Sequence, residues 1–199
     1  MTFITGAFFG PGWRERRNID YGDLELPGTG ERLTRERFES LHAAPTPRLV
    51  LIQMNPDTVV DAVVMNPLVM IASDGIAGHP RLGGTCARIL ARYVRSQGTL
   101  TLLEAIRKLS LMPAQRLETA RKATRRKGRL QVGADADIVV FDPERIEDRA
   151  TYSSPAEPSV GVRYLVVAGT IVVNDGLFVE GANPGQALRG DAGQKTPVR

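Results

Sequence analysis

Cysteine and histidine are the scarce residues of this chain. Its 199 residues include one cysteine, Cys86, and two histidines, His42 and His79. A lone thiol excludes an intramolecular disulfide and suits a reducing compartment, so the cytoplasm is the expected setting. Zinc and its relatives take three or four ligands from His, Cys, Asp or Glu. With no HxH and no HxxxH spacing, the chain cannot build a histidine-rich metal site from its own residues. Long apolar runs are missing too. No stretch approaches the roughly 20 apolar residues of a membrane helix. The apolar start MTFITGAFFG lacks the basic region that a secretion signal carries. No membrane partner is expected.

Aromatic residues make up only 6% of the chain, and this decides how its charge is read. The net charge is +4, and Arg121, Lys122, Arg125, Arg126, Lys127 and Arg129 fall within nine positions. Grooves for single-stranded nucleic acid interleave such charge with stacking aromatics, and this run has none. It reads as a solvated connector, with no nucleic-acid partner.

What is present has α/β grammar. Arg48 to Met54 is a branched, nearly continuous apolar run, as a strand buried on both faces should be. Asn55-Pro56-Asp57 can open a helix whose apolar face carries Val59, Ala62 and Val63, with Val64 beside them. Asn66-Pro67 stops that helix, and PLVMIAS (residues 67–73) reads as a second buried strand. Two strands joined by a helix predict a parallel pair with a right-handed crossover. Thr85 can cap a further helix with Cys86, Ile89, Leu90, Tyr93 and Val94 inward, Arg88, Arg92 and Arg95 outward, and Gly98 after its end. Thr101 and Glu104 form a capping-box pair for the next helix, which faces Leu102, Ala105, Ile106 and Leu109 inward. Pro113 suits the first position of another.

After Gly128 the pattern turns to β. Ile138 to Phe141, Arg163 to Ala168 and Thr170 to Asn174 read as strands, and Asn174-Asp175-Gly176 is a tight-turn signal before Leu177 to Val179. Residues 10–46, with five glycines and three prolines, read as a long loop holding one helix around Thr34 to Leu41. The polar end from Pro184 onward reads as a frayed tail.

Few residues could carry chemistry. Asp74, in Ser73-Asp74-Gly75, closes the PLVMIAS strand, where carboxylates meet active sites in parallel α/β folds; the same residue could equally only brace the turn. Arg81, in His79-Pro80-Arg81, precedes Gly83-Gly84-Thr85 and a helix start, a place that can receive a carboxylate. An ordinary exposed loop arginine beside a carbonyl-bonded His79 is the other reading. Cys86 reads as a core residue rather than a nucleophile, and His42 has no evident partner.

Three segments together resemble the amidohydrolase superfamily. Gly128 to Asp142 is similar to its "G-x-x-x-x-G-x-x-A-D-x-V-V-x-D" passage. Ser73-Asp74-Gly75 followed by His79-Pro80-Arg81 and Gly84-Thr85 resembles the D-aminoacylase branch. Phe8 to Arg17 together with Leu111 to Leu117 look most like D-glutamate deacylases. The similarity runs from about residue 3 to about residue 189. It implies a metal-dependent TIM-type (β/α)8 barrel with a small β-sandwich that hydrolyses N-acyl-D-amino acids, with zinc in the complete family enzyme. It further implies that Asp74 takes a proton from metal-activated water and returns it to the leaving amine. Arg81, with His79 beside it, would meet the substrate carboxylate.

The departures from that family are as informative. Its histidine ligands belong to strands absent from this sequence, and a barrel takes about 250 residues. The expected organisation is therefore an incomplete barrel: residues 1–127 hold its last β/α units, residues 128–185 part of the β-sandwich, and residues 186–199 a flexible tail. Three functions fit: a deacylase fragment inactive alone, a complementing subunit whose second chain supplies the N-terminal barrel half, or a non-catalytic β/α interaction module. No metal is expected on the chain alone. An unpaired strand edge further predicts an oligomeric, aggregated or partly molten chain.

Overall fold

The computed structural model of the chain describes residues 2–76 and 78–188; of the expected tail, residues 189–199 lie outside it. The strands are β1 (Thr2–Phe3), β2 (Leu24–Glu25), β3 (Leu49–Ile52), β4 (Ile138–Phe141), β5 (Val162–Val167), β6 (Thr170–Asn174) and β7 (Leu177–Phe178). The α-helices are α1 (Trp13–Arg17), α2 (Arg35–His42), α3 (Asp57–Met65), α4 (Arg81–Arg88), α5 (Leu102–Ile106) and α6 (Met112–Leu117). Wide π-type turns over Ile89–Ser96 extend α4, and a second set over Arg107–Leu111 joins α5 to α6. The architecture is α/β with two antiparallel sheets, ordered β1-β3-β2 and β4-β5-β6-β7. Among the described residues, no helix is long and apolar enough to cross a membrane.

The branched run forms β3, but its neighbours differ from expectation. Both edges are taken by the N-terminal segment, with Thr2 opposite Val50 and Leu24 opposite Ile52. The expected long loop is thus a folded layer. Ile4, Phe9, Trp13, Ile19, Leu24, Leu33, Phe38 and Leu41 pack with Val50 into one core. Phe9 meets Trp13 and Phe38 edge-on at 5.0 and 5.2 Å, a geometry that ring quadrupoles favour. The expected helix is there as α2, and Thr34 Oγ1 accepts from the Arg37 amide at 3.2 Å as its N-cap.

The predicted parallel pair does not form, because residues 67–73 make no ladder. Their hydrogen bonds go elsewhere. The Lys108 ammonium, 3% exposed, donates to the carbonyls of Asn66 and Val69, and the Lys108 carbonyl accepts from the Ile71 amide at 3.0 Å. Burial holds the Lys108 pKa below its ordinary value. Helix α3 forms where expected but with its face reversed: Val64 is buried, whereas Val59 and Val63 are half exposed. Asp57 and Asp61, one turn apart, both bind Arg92, and Asp61 accepts from the Tyr93 hydroxyl at 2.7 Å. That clamp sets the rotation of α3. Desolvation, with the Asp61 bond, pushes the Tyr93 phenol up to about 12.

Helix α4 starts at Arg81 rather than after Thr85, whose hydroxyl donates back to the Arg81 carbonyl. Cys86 is exposed, so its expected core role fails; Ala87, Ile89, Leu90, Ala91 and Tyr93 fill the face instead. The arginines expected in solvent are ties. Arg88 binds Asp148, Arg92 binds α3, and Arg95 donates to the Ile146 carbonyl at 2.6 Å. The capping box of Thr101 and Glu104 is present in both directions, at 3.0 and 3.2 Å, and Pro113 lies in the first turn of α6. Val64, Tyr93, Leu100, Ala105 and Ile146 belong to a second core, against which Phe141 and Val162 also pack.

The β meander follows its sequence closely. Ala168-Gly169 and Asp175-Gly176 all have positive φ, the two-residue turn whose twist matches hairpin strands. The basic run before it is only in part a solvated connector. Lys127 binds Asp135 and Asp137, Arg126 binds Asp135, and Arg129 binds Glu118. Asp137 also accepts from the Ala168 amide at 2.8 Å, and these bonds, Lys127 first, hold its carboxyl below the usual range. The acidic pair of the GADAD passage pins the start of the sheet.

Candidate functional site

The three residues singled out in the sequence come together where α4 begins. Asp74 follows the ladderless segment and has φ +45°, a left-handed conformation unusual outside glycine. Its carboxylate, 84% exposed, lies 2.9 Å from Nη2 of Arg81. Arg81 is the first residue of α4, so its guanidinium stands beside a helix N-terminus, where backbone N–H groups favour anions. Arg81 Nε is shielded from water and has no hydrogen-bond acceptor among the described residues, so half of its donor fork is unused.

His79 sits between them. Its Nδ1 accepts the Arg81 amide at 3.1 Å, which leaves the ring proton on Nε2 in the neutral form. Burial, followed by the nearby Arg81 charge, lowers its pKa, so the neutral ring prevails at pH 7. The His79 ring also meets Tyr152 edge-on at 5.2 Å. Tyr152 carried no signal in the sequence, because it lies in an irregular stretch with no periodicity. That stretch is joined to α4 by Ser159, whose hydroxyl donates to the Gly83 carbonyl at 2.7 Å, and by Gly84, which closes on Asp148 and Ala150.

The other candidates lie apart from this cluster in the fold. His42 stacks on Phe38 at 5.5 Å in α2, and Cys86 is on the exposed side of α4. Among the described residues, no group of three or more His, Cys, Asp or Glu side chains could hold a metal ion. What the site offers is an exposed carboxylate, a half-used guanidinium and a neutral imidazole. It can bind an anion and hold or move one proton.

Comparison with known proteins places these residues in context. A family model described as the amidohydrolase family matches residues 40–173. The chain is 40% identical over 127 residues to an N-acyl-D-glutamate deacylase of Alcaligenes xylosoxydans xylosoxydans, covering 62% of this chain and 25% of that protein. It is similar to the solved N-acyl-D-glutamate deacylase from Bordetella bronchiseptica complexed with zinc and a phosphonate inhibitor. That match has a TM-score of 0.65 and 30% identity, over 88% of this chain and 39% of that one. A D-aminoacylase crystal structure matches with a TM-score of 0.65 and 30% identity, over 72% and 30% of the two chains. The chain spans about a quarter of the length of the curated relatives it matches.

Proposed function

The chain belongs to the amidohydrolase family, and from that premise we propose that it contributes the Asp74–Arg81 side of a site hydrolysing the amide of an N-acyl-D-amino acid, of the N-acyl-D-glutamate kind. On this reading it carries the last β/α units of a (β/α)8 barrel and part of the small β-domain, and the rest of that fold lies outside these residues. The observation behind the proposal is the ion pair. Arg81 already grips one carboxylate through Nη2, and a substrate α-carboxylate could replace Asp74 on that donor.

Once that exchange occurs, Asp74 is released. Exposed at the surface, its carboxylate can take a proton from the attacking water and pass it to the leaving nitrogen. His79, neutral with its proton on Nε2, keeps the Arg81 amide in place and can donate one hydrogen bond to bound substrate. The solved relative holds zinc, but the residues described here do not fit such an ion. His42 lies in α2 against Phe38, apart from Asp74, and Nδ1 of His79 is taken by the Arg81 amide. Zinc in the complete family enzyme would take its ligands from outside the residues described here and would supply an activated water.

The test is complementation. The purified chain is mixed with the part of the Alcaligenes deacylase outside its matched quarter, and amine release from N-acetyl-D-glutamate is followed with zinc present. The chain alone should release no amine and keep no stoichiometric zinc after dialysis, whereas the mixture should turn over. Asp74→Asn should lower the rate of the mixture by at least ~100-fold, and Arg81→Lys should mainly raise KM. Turnover by the chain alone, or an active Asp74→Asn mixture, overturns the reading. A non-catalytic interaction module is the second reading, favoured by the separate core of the N-terminal layer.

A further inference from the structure

We propose that Asp74–Gly75 is a site of spontaneous covalent modification, at which the aspartate closes a succinimide ring with the backbone and reopens as isoaspartate. The chemistry needs only water, and the inference stands independently of the functional reading above.

The chain holds two Asp-Gly pairs, Asp74–Gly75 and Asp175–Gly176, and each is a control for the other. Both aspartates have φ +45°, a left-handed backbone that a residue with a Cβ adopts at a cost. Both carboxylates meet an arginine and stand mostly in solvent, with 84% and 67% exposure. They differ in how the reacting groups are held. The Gly176 amide donates to the Arg163 carbonyl at 2.9 Å, which ties it to β5. Nε and Nη2 of Arg163 also fall together on one Asp175 oxygen, at 3.2 and 2.7 Å. The Gly75 amide, by contrast, has no hydrogen-bond partner among the described residues. Asp74 meets Arg81 through one nitrogen only, at 2.9 Å, and the segment before it makes no ladder. The backbone rotation that brings the Gly75 nitrogen onto its neighbour's carboxyl carbon is therefore restrained far less than at Gly176.

In the first step the Gly75 N–H gives its proton to solvent, and the nitrogen attacks Cγ of the Asp74 carboxyl group. An N–Cγ bond forms, a Cγ–O bond breaks, and that oxygen leaves as water. Water then adds to one of the two ring carbonyl carbons. Breaking the N–Cγ bond restores aspartate. Breaking the bond from nitrogen to the main-chain carbonyl carbon leaves the chain running through Cβ and Cγ, with the carboxylate on Cα. Mass is unchanged, but the backbone gains one atom and the carboxylate beside Arg81 is displaced. Packing keeps the susceptible glycine in place. A Cβ at residue 75 would lie 2.7 Å from Cδ1 and 3.3 Å from Cα of Leu82. The least shielded amide thus follows the aspartate, and where the functional reading holds, the modified residue is its proton carrier.

Peptide mapping with electron-transfer fragmentation, which separates aspartate from isoaspartate, tests this on the full chain held in warm, mildly acidic buffer. In the folded chain, isoaspartate at residue 74 should accumulate at least tenfold faster than at residue 175. In denaturant, where both surroundings are lost, the two rates should converge. Asp74→Glu, which would need a six-membered ring, should stop the reaction there and leave residue 175 as it was. Asp74→Asn closes the same ring with ammonia leaving in place of water, so on storage it should turn into aspartate and isoaspartate. Equal rates at the two sites of the folded chain overturn the proposal. So does a difference that persists undiminished in denaturant, which would assign it to flanking sequence, and so does an asparagine at residue 74 that survives storage.

Discussion

Residues 2–52 and residues 57–188 each carry strong strand-forming sequence, yet only the first region finds partners for all of it. In the N-terminal layer, two strands of two residues each are enough to cover both edges of β3, and a cluster of rings seals its face. In the second region LVMIA has comparable β-propensity and no ladder, because Lys108 and the helices beyond it satisfy one edge only. The contrast teaches that a strand is a pairing and not a property of its residues. It also separates what this chain stabilises by itself from what it presents to others. The family match begins at residue 40, so most of the self-sealed layer lies outside it, while the open segment lies within it.

If the two regions are independent, damage to one should spare the other. Trp13, 6% exposed and in contact with Phe9, Tyr21 and Phe38, is the test in the first layer. Trp13→Ala should cost that layer about 3–5 kcal/mol. Exchange at the β5 and β6 amides should stay unchanged in native buffer. Loss of protection throughout the chain would show one cooperative unit and break the comparison.

The mirror experiment is Gly161→Ala. Gly161 has φ +90°, and an added Cβ would lie 2.5 Å from the backbone N and Cα of Ile146, a residue of the second core. Neither strain nor clash can be relieved by a rotamer, so the second region should lose about 3 kcal/mol. The Trp13 fluorescence transition should not move. A shift in that transition would mean the two cores share their stability.

A smaller effect addresses the open segment. Lys108→Met removes both bonds from the ammonium and frees the Asn66 and Val69 carbonyls, while relieving a buried charge. The opposing terms should leave a net loss of about 1 kcal/mol at pH 7. The pH profile is more telling. Burial holds the folded pKa of Lys108 below its ordinary 10.5, so the folded state resists the charged form. Wild-type stability from this group should therefore rise as pH climbs from the folded value towards 10.5. Denaturant titration of Lys108→Met should show no such rise; an identical rise would assign it to another group.

How much of this was legible beforehand follows the same division. The capping box at Thr101, the two hairpin turns and the meander are local signals, written within four or five residues, and they appear as read. Asp74, His79 and Arg81 were close enough in sequence that one turn and one helix start bring them together. The N-terminal core was not legible, because Phe9, Trp13 and Phe38 follow neither helical nor strand spacing. The face of α3 was misread because two aspartates bound by a distant arginine, not the valines, set its rotation. Tyr152 beside His79 was invisible for the same reason, since a contact 73 positions away leaves no mark on local pattern.

The smallest expected effect lies in that contact zone and concerns pH. The His79 pKa is lowered, by burial first and then by the Arg81 charge. At pH above the ordinary value of 6.5 the ring is neutral in folded and unfolded chains alike, so the group contributes nothing to the pH dependence. As pH falls from 6.5 towards the folded value, the unfolded chain takes up a proton that the folded one resists, and stability declines. Below the folded value the penalty is complete. The structural consequence is local: a protonated Nδ1 can no longer accept the Arg81 amide, so the first turn of α4 loses the bond that holds the guanidinium beside Asp74. Corrected for the intrinsic pH dependence of exchange, acidification should lower the protection factor of the Arg81 amide several-fold while leaving those of β1 to β3 unchanged. His79→Gln, whose side-chain oxygen can accept but does not titrate, should keep the slow exchange at low pH. If the Arg81 amide quickens equally in His79→Gln, the loosening comes from another group, and His79 is only a neighbour of the site.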